Sequence, residues 1–404
     1  MLHSIAFAAL LYLSPMPADP EARVRISLFS LFKPEAVNAR VASGAGARIE
    51  VDGSLDSRLA PGETVQMRLG GGHLNVAMID SSGRIGRSLV GRVARIVPLG
   101  STTLELILPR RIKRVVHGEV LISPGEGSAR GQLQLVLDTD REAAVASIVA
   151  AEMNGERATE ALKALAVVVR SFMLGHPERH TGFDFCDTTH CQLYRGEADL
   201  SSERSPPAIA NAVVSTKGEV LRFAGRPVET YHTALCGGLS VTPEMVWGGA
   251  GDSYSFRRIA CRWCHGQRYF RWKRSADAGR VLTVLSEYLG ERFTSSASIE
   301  IDNEPSSQFV RGVTLREVDT QRVISADAFR RAIGRKLGWN TVLSPSFTIE
   351  RRGARFVFRG RGFGSQVGLC LAGSVAQAAA GRSYRNILSF YFPGTDVTNG
   401  VAGE

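Results

Sequence analysis

The chain has 404 residues, with 49 Lys and Arg against 39 Asp and Glu, a formal charge of +10 and a hydrophobic fraction of 44%. That length allows one large domain or two to three smaller ones, and that apolar content is ordinary for a globular protein with a real core. The positive balance points to an anionic partner such as nucleic acid, a membrane surface or an acidic polymer, but the arginines are scattered rather than clustered with aromatics, which excludes a specific nucleic-acid module.

The run Ser4–Leu13 is apolar but too short to span a membrane. With the small residues that follow as far as Ala18, it reads as a signal peptide over 1–18 whose n-region is weak. The alternative is a disordered or buried N-terminus. No other stretch is long and apolar enough to cross a bilayer, so cleavage would leave an exported protein of the cell envelope, periplasm or extracellular space. The six cysteines, Cys186, Cys191, Cys236, Cys261, Cys264 and Cys370, are compatible with export and some pairing.

Residues 19–130 read as short strands separated by Gly, Pro, Asp and Ser clusters, and carry no catalytic constellation. Gly131–Asp138 is a further strand that leads directly into a helix from about Glu142 to Met153. Thr139 and Glu142 have capping-box spacing, and Val145, Ile148 and Val149 would face a core. The turn pair Asn154-Gly155 ends that helix. A second helix spans about Thr159 to Leu174, with Leu162, Leu165, Val169 and Phe172 as its apolar stripe. Gly175 fits a C-terminal cap, Pro177 forbids continuation, and Glu160 and Lys163 form an i,i+3 pair.

Glu152 lies on the last turn of the first of these helices. The negative helix end and partial desolvation would raise its pKa, as a general acid requires. A solvated glutamate at a helix end is the alternative. Just after the helices, His180, Cys186, His190 and Cys191 place four good zinc donors within twelve residues. A Cys186–Cys191 disulfide or free thiols would suit the same spacing.

Glu152-Met153, Glu160–Ala164, Ala166-Val167, Arg170 and His190-Cys191-Gln192-x-Tyr194 resemble the stage II sporulation protein D (SpoIID/LytB) family. The resemblance implies an α+β fold: a SpoIID-like domain of mixed strands and helices over 131–396, preceded by the β-rich N-terminal region and followed by a tail at 397–404. It implies a lytic transglycosylase that cleaves the bond between N-acetylmuramic acid and N-acetylglucosamine and leaves 1,6-anhydro ends, with Glu152 as acid and base. It also implies a structural Zn2+ on His180, Cys186, His190 and Cys191. The expected partners are peptidoglycan glycan strands, peptide-stripped or not, and an amidase. Carried over residue by residue, substrate contacts fall on Lys163, Arg170, Gln192, Tyr194, Thr233, Gly237, Gly238, Trp247 and Ser365.

Further along, Pro206 to Phe223 reads as a short helix and a strand with Gly218 between them. The strand Val228 to Gly238 ends in two glycines, which would let backbone N–H groups approach a ligand. His232 within it is either a structural histidine or a groove residue, and Trp247 either a buried tryptophan or a sugar-stacking one. Cys261-x2-Cys264-His265 has three readings: a disulfide from Cys236 to Cys264 or Cys261, a second zinc site of Cys236, Cys261, Cys264 and His265, or a redox motif. No thioredoxin-like pattern surrounds it, which disfavours the last of these. Ser325 caps an amphipathic helix to Leu337, and a glycine-rich turn over 360–373 opens a helix that runs to about Ala380.

The resemblance extends from about Gly131 to Thr395, with departures. Ser365 stands where the family usually has His, Gln366 where it has Gly, and Leu371 and Leu165 where it has Gln. Ser171-Phe172 replaces Thr-Tyr. The missing turn histidine bears on catalysis and favours a second reading, a non-catalytic glycan-binding module that stimulates an N-acetylmuramoyl-L-alanine amidase.

Overall fold

The computed structural model describes residues 22–127, 130–153, 155–175, 179–196, 207–248, 254, 256–304, 309–318 and 320–399. The apolar run at 4–13, Asn154 and Pro177 lie outside them.

Among the described residues, twelve strands precede the first helix: β1 (Arg23–Leu28), β2 (Ala36–Ser43), β3 (Ala47–Val51), β4 (Ser54–Leu59), β5 (Thr64–Gly70), β6 (His73–Ile79), β7 (Ile85–Gly91), β8 (Ala94–Pro98), β9 (Thr103–Leu108), β10 (Ile112–Val116), β11 (Glu119–Pro124) and β12 (Leu133–Asp140). They form two mostly antiparallel sheets. One runs β10-β9-β2-β5-β6-β7; the other runs β13-β1-β12-β11-β8-β3-β4, where β13 is Phe185–Cys186. Alternation puts Ile26, Ile49, Ile96, Val120 and Leu137 of one sheet and Val37, Met67, Val76 and Leu106 of the other into one shared core. The boundary expected at 130/131 falls between β11 and β12, which pair along the whole of β11 (Val120 opposite Leu137). Hydrogen bonding therefore makes the β-rich region and the start of the next one a continuous sheet.

The helices α1 (Arg141–Glu152), α2 (Thr159–Gly175), α3 (Pro207–Ser215), α4 (Pro243–Trp247), α5 (Ala278–Leu289), α6 (Ala326–Leu337), α7 (Leu371–Ala379) and α8 (Tyr384–Tyr391) follow. α2 is the central one. It packs on α1, α3, α7, α8 and the strand Glu219–Phe223, and from Ala161 to Met173 only Lys163 escapes burial. Its polar residues are satisfied inside the core: Ser171 Oγ donates to Val167 O at 2.7 Å and accepts from Leu221 N at 2.8 Å.

Two local expectations are corrected, and a third is met with an added contact. The N-cap of α1 is Asp140, whose Oδ1 accepts from Ala143 N at 2.9 Å, while Thr139 Oγ1 donates to His117 O at 2.6 Å and Glu142 binds Arg170. The capping box fails because strand β12 runs two residues further than the sequence implies, to Asp140, and carries Thr139 with it. Gly175 is a glycine because of close approach: a Cβ there would meet Glu229 N at 2.4 Å. The pair Glu160–Lys163 forms at 2.8 Å, but it is not a free surface pair, since Glu160 also accepts from Tyr384 N at 2.7 Å and so ties α2 to α8.

A second lobe covers Trp272 to Gly360. Two three-stranded antiparallel sheets, Trp272–Asp277 with Arg355–Gly360 and Phe347–Arg352, and Ser298–Asn303 with Val310–Glu317 and Thr320–Ser325, pack with α5 and α6 around Phe329, Phe347 and Phe358. Ser325 caps α6 as expected, accepting from Ala328 N at 3.1 Å. Among the described residues, no helix is long and apolar enough to cross a membrane.

Candidate functional site

A groove of about 1490 Å3 runs between the β-rich region, the helical core and the second lobe. Pockets for small molecules are typically about 300–1,000 Å3, so this one suits a longer ligand. Eight Lys and Arg side chains line it against five Asp and Glu.

Glu152 enters the groove from the end of α1, where the N–H of Met153 bonds back to Val149 O and closes the helix. Opposite it stands His232, on a two-residue strand that pairs in parallel with Leu369-Cys370. His232 Nε2 is 3.5 Å from Glu152 Oε1, and its buried Nδ1 has no hydrogen-bond partner among the described residues. The expectation of a raised Glu152 pKa is overturned. Burial is the largest influence and pushes it up, but the hydrogen bond with His232, the charge of that ring and the Arg195 guanidinium together hold the carboxyl below its ordinary value. The residues responsible lie 80 and 43 positions away in the chain, beyond the reach of helix-end reasoning.

The His/Cys cluster forms a neighbouring wall. Its donor atoms all lie within 4.8 Å of one another. His180 Nε2 is 3.1 Å and His190 Nδ1 3.3 Å from Cys191 Sγ, and Cys186 Sγ is 3.5 Å from Cys191 Sγ. Burial, the main influence, lowers the pKa of His180 and favours the neutral ring that a metal needs. Two imidazoles and two thiols converging in this way fit a tetrahedral Zn2+. The loop is anchored from outside the cluster: Asp187 accepts from Phe29 N at 2.6 Å and forms a buried ion pair with Arg114, and β13 pairs with β1.

Of the residues expected to contact substrate, Gln192, Thr233, Trp247 and Ser365 line the groove. Trp247 is 44% exposed and tilts against Tyr231 with ring centroids 5.0 Å apart. Gln192 is buried with its Oε1 unpartnered among the described residues. Lys163, Arg170, Tyr194, Gly237 and Gly238 are not among the lining residues. Arg170 is 1% exposed and is a strut: it holds both oxygens of Glu142 at 2.7 Å and Glu219 O at 2.8 Å. Gly237 approaches backbone rather than an open ligand site, since a Cβ there would meet Gly362 N at 2.6 Å. Sequence reasoning missed Arg195, Arg330, Arg331, Arg335 and Trp339, which line the groove from the cluster loop and from the second lobe. The signal for Arg330, Arg331 and Arg335 was the basic stretch of the amphipathic helix α6.

The glycine turn explains one departure. Gln366 adopts φ +67, the left-handed region that favours glycine. Its side chain offsets the cost: Nε2 donates to Cys236 O at 2.6 Å and Oε1 accepts from Ser346 Oγ at 2.7 Å.

These features define an α+β protein with an extended cationic groove, a paired carboxylate and imidazole within it, and a cysteine–histidine cluster in its wall. The stage II sporulation protein family (SpoIID) matches residues 129–223. An uncharacterised protein of Brachyspira hyodysenteriae is 29% identical over 258 residues, covering 63% of this chain and 66% of that one. Stage II sporulation protein D of Bacillus subtilis is 25% identical over 282 residues, covering 67% of this chain and 77% of its own. The amidase enhancer of Bacillus subtilis is 23% identical over 290 residues, which is 62% of this chain and 40% of the enhancer. The domain match and these relatives support assignment of this chain to the SpoIID/LytB family.

Proposed function

We propose that this protein is exported, remodels the bacterial cell wall, and holds a peptidoglycan glycan strand in its groove while stimulating an N-acetylmuramoyl-L-alanine amidase. The observation that carries this reading is the groove itself, longer than a small-molecule pocket, rich in cations and open to Trp247. Strands stripped of their peptides expose lactyl carboxylates, which the basic side chains would attract. An apolar sugar face would stack on Trp247. Gln192, Thr233 and Ser365 supply hydrogen-bonding groups along the wall. The likeness to an amidase enhancer and the serine at position 365 in place of a histidine favour this over catalysis.

A second reading rests on the Glu152–His232 pair. In a lytic transglycosylase, Glu152 gives a proton to the oxygen of the bond between N-acetylmuramic acid and N-acetylglucosamine. It then takes one from the C6 hydroxyl as the 1,6-anhydro ring closes. An intramolecular hydroxyl replaces water, so one carboxylate serves both steps. Because His232 and Arg195 hold Glu152 below its ordinary value, this reading requires bound glycan to displace water and raise the proton affinity of the carboxyl before the acid step. Zn2+ on His180, Cys186, His190 and Cys191 would hold the groove wall; four protein ligands leave it no open position for chemistry.

The test is digestion of purified glycan strands, with and without stem peptides, by wild type and Glu152→Gln, read by mass spectrometry alongside strand pull-down and amidase stimulation. Retained binding and stimulation in both proteins, with no cleavage, supports the enhancer. Products lighter by one water than hydrolytic ones, absent in the variant, support the transglycosylase. Neither binding nor cleavage by wild type overturns both.

A further inference from the structure

A second cluster lies behind the groove wall, in the helical core. Cys236, Cys261, Cys264 and Cys370 are all buried, and their four sulfurs lie within 4.8 Å of one another. The cysteines are free, and Cys236 Sγ to Cys264 Sγ is 3.5 Å, well beyond the ~2.05 Å of a disulfide. The expected disulfide from Cys236 is therefore not formed. His265 is not part of the cluster; Cys370, 106 positions further on, completes it.

We propose that these four cysteines bind a second structural zinc ion as a tetrathiolate site. Tetrahedral zinc with Zn–S bonds of about 2.3 Å places its sulfurs about 3.8 Å apart, close to the spacing here. Four neutral thiols could pack in a core as small apolar groups, but they would need no donors aimed at them. Here two backbone donors point at sulfur, Cys236 N and Gly373 N each reaching Cys370 Sγ at 3.3 Å, and the Tyr391 hydroxyl lies within hydrogen-bond reach of Cys261 Sγ at 3.2 Å. Such bonds spread the negative charge of metal-bound thiolates. Gly373 is small for the same reason, because a Cβ there would run into the Tyr391 hydroxyl and lie 3.3 Å from the sulfurs of Cys261 and Cys370.

The site joins three distant segments: the strap that ends in Gly237-Gly238, the Cys261–Cys264 knuckle and the start of α7, where Cys370 is the N-cap. Cys370 also pairs with Thr233, next to His232. The ion would thus fix the strand that presents His232 to Glu152, and Gln366 braces it by donating to Cys236 O. It serves position and stability and has no open ligand position.

The experiment uses the full-length protein purified without chelator. Metal analysis by plasma mass spectrometry should find two zinc ions per wild-type chain, one in Cys264→Ser, one in Cys191→Ser and none in the double variant. X-ray absorption on the wild type keeps the test independent of how the variants fold. With both sites filled, zinc averages three sulfur and one nitrogen ligands; with the His/Cys site alone, two and two. Alkylation after denaturation without reductant should find all six cysteines reactive. One zinc per wild-type chain with the two-and-two average, disulfide-linked peptides among the four cysteines, or iron in place of zinc would each overturn the proposal.

Discussion

His232 faces Glu152 across the groove at 3.5 Å, although the two belong to elements 80 residues apart. Because the ring and Arg195 outweigh burial, the carboxyl titrates below its ordinary value when the protein is folded. A carboxyl of lowered folded pKa adds stability that is fully present above its unfolded value, about 4.3, and is lost as pH falls through the folded value. The difference in Tm between wild type and Glu152→Gln should therefore be constant from about pH 5.5 to 4.5 and narrow below that. A gap that widened on acidification would contradict the pairing.

His232→Ala removes the hydrogen bond and the ring's electrostatic influence while burial remains. Glu152 should then titrate higher than in wild type, read by carbon NMR of labelled glutamate. If the protein cleaves glycan, the alkaline limb of its pH–rate profile should move up by the same interval, because the acid must be protonated to act.

Arg170 is a buried strut between α1, α2 and the strand Glu219–Phe223. Removing one partner of a buried, hydrogen-bonded pair costs about 3–5 kcal/mol. Arg170→Ala should lower the denaturation midpoint by an amount of that order, and Arg170→Lys by less. Glycan affinity measured on the folded fraction should not change.

Trp247 offers an exposed ring in the groove, and its loss leaves the core intact. Trp247→Ala should weaken binding of glycan oligosaccharides about tenfold, equivalent to about 1.4 kcal/mol, with Tm within a degree or two of wild type. Calorimetric titration checks the first and thermal unfolding the second.

Chelation at the His/Cys cluster should act on stability before it acts on function. Dialysis against a strong chelator should lower Tm, and added Zn2+ should restore it. Loss of turnover or of amidase stimulation at unchanged Tm would contradict a purely structural ion.

Local pattern is enough to read much of this protein. Apolar alternation marks the strands of the first 130 residues, and 3.6-residue periodicity marks α2 and α6 to within a residue or two. Short spacing brings His180, Cys186, His190 and Cys191 within reach of one another, since twelve residues can fold onto one ion. Glu152 could be singled out, and the family with it, because its motif is contiguous with the helix that presents it.

The tertiary structure decided what depends on residues meeting from far apart. Only packing brings His232 and Arg195 to Glu152, and electrostatics falls off with distance in space rather than along the chain, so the direction of that carboxyl's shift was invisible to local reasoning. Only packing sends Arg170 into the core, carries Arg330, Arg331 and Trp339 to the groove from the second lobe, and replaces His265 by Cys370 in the sulfur cluster. Local propensity acts over a few residues, whereas a site is assembled wherever the burial of apolar surface folds distant segments together.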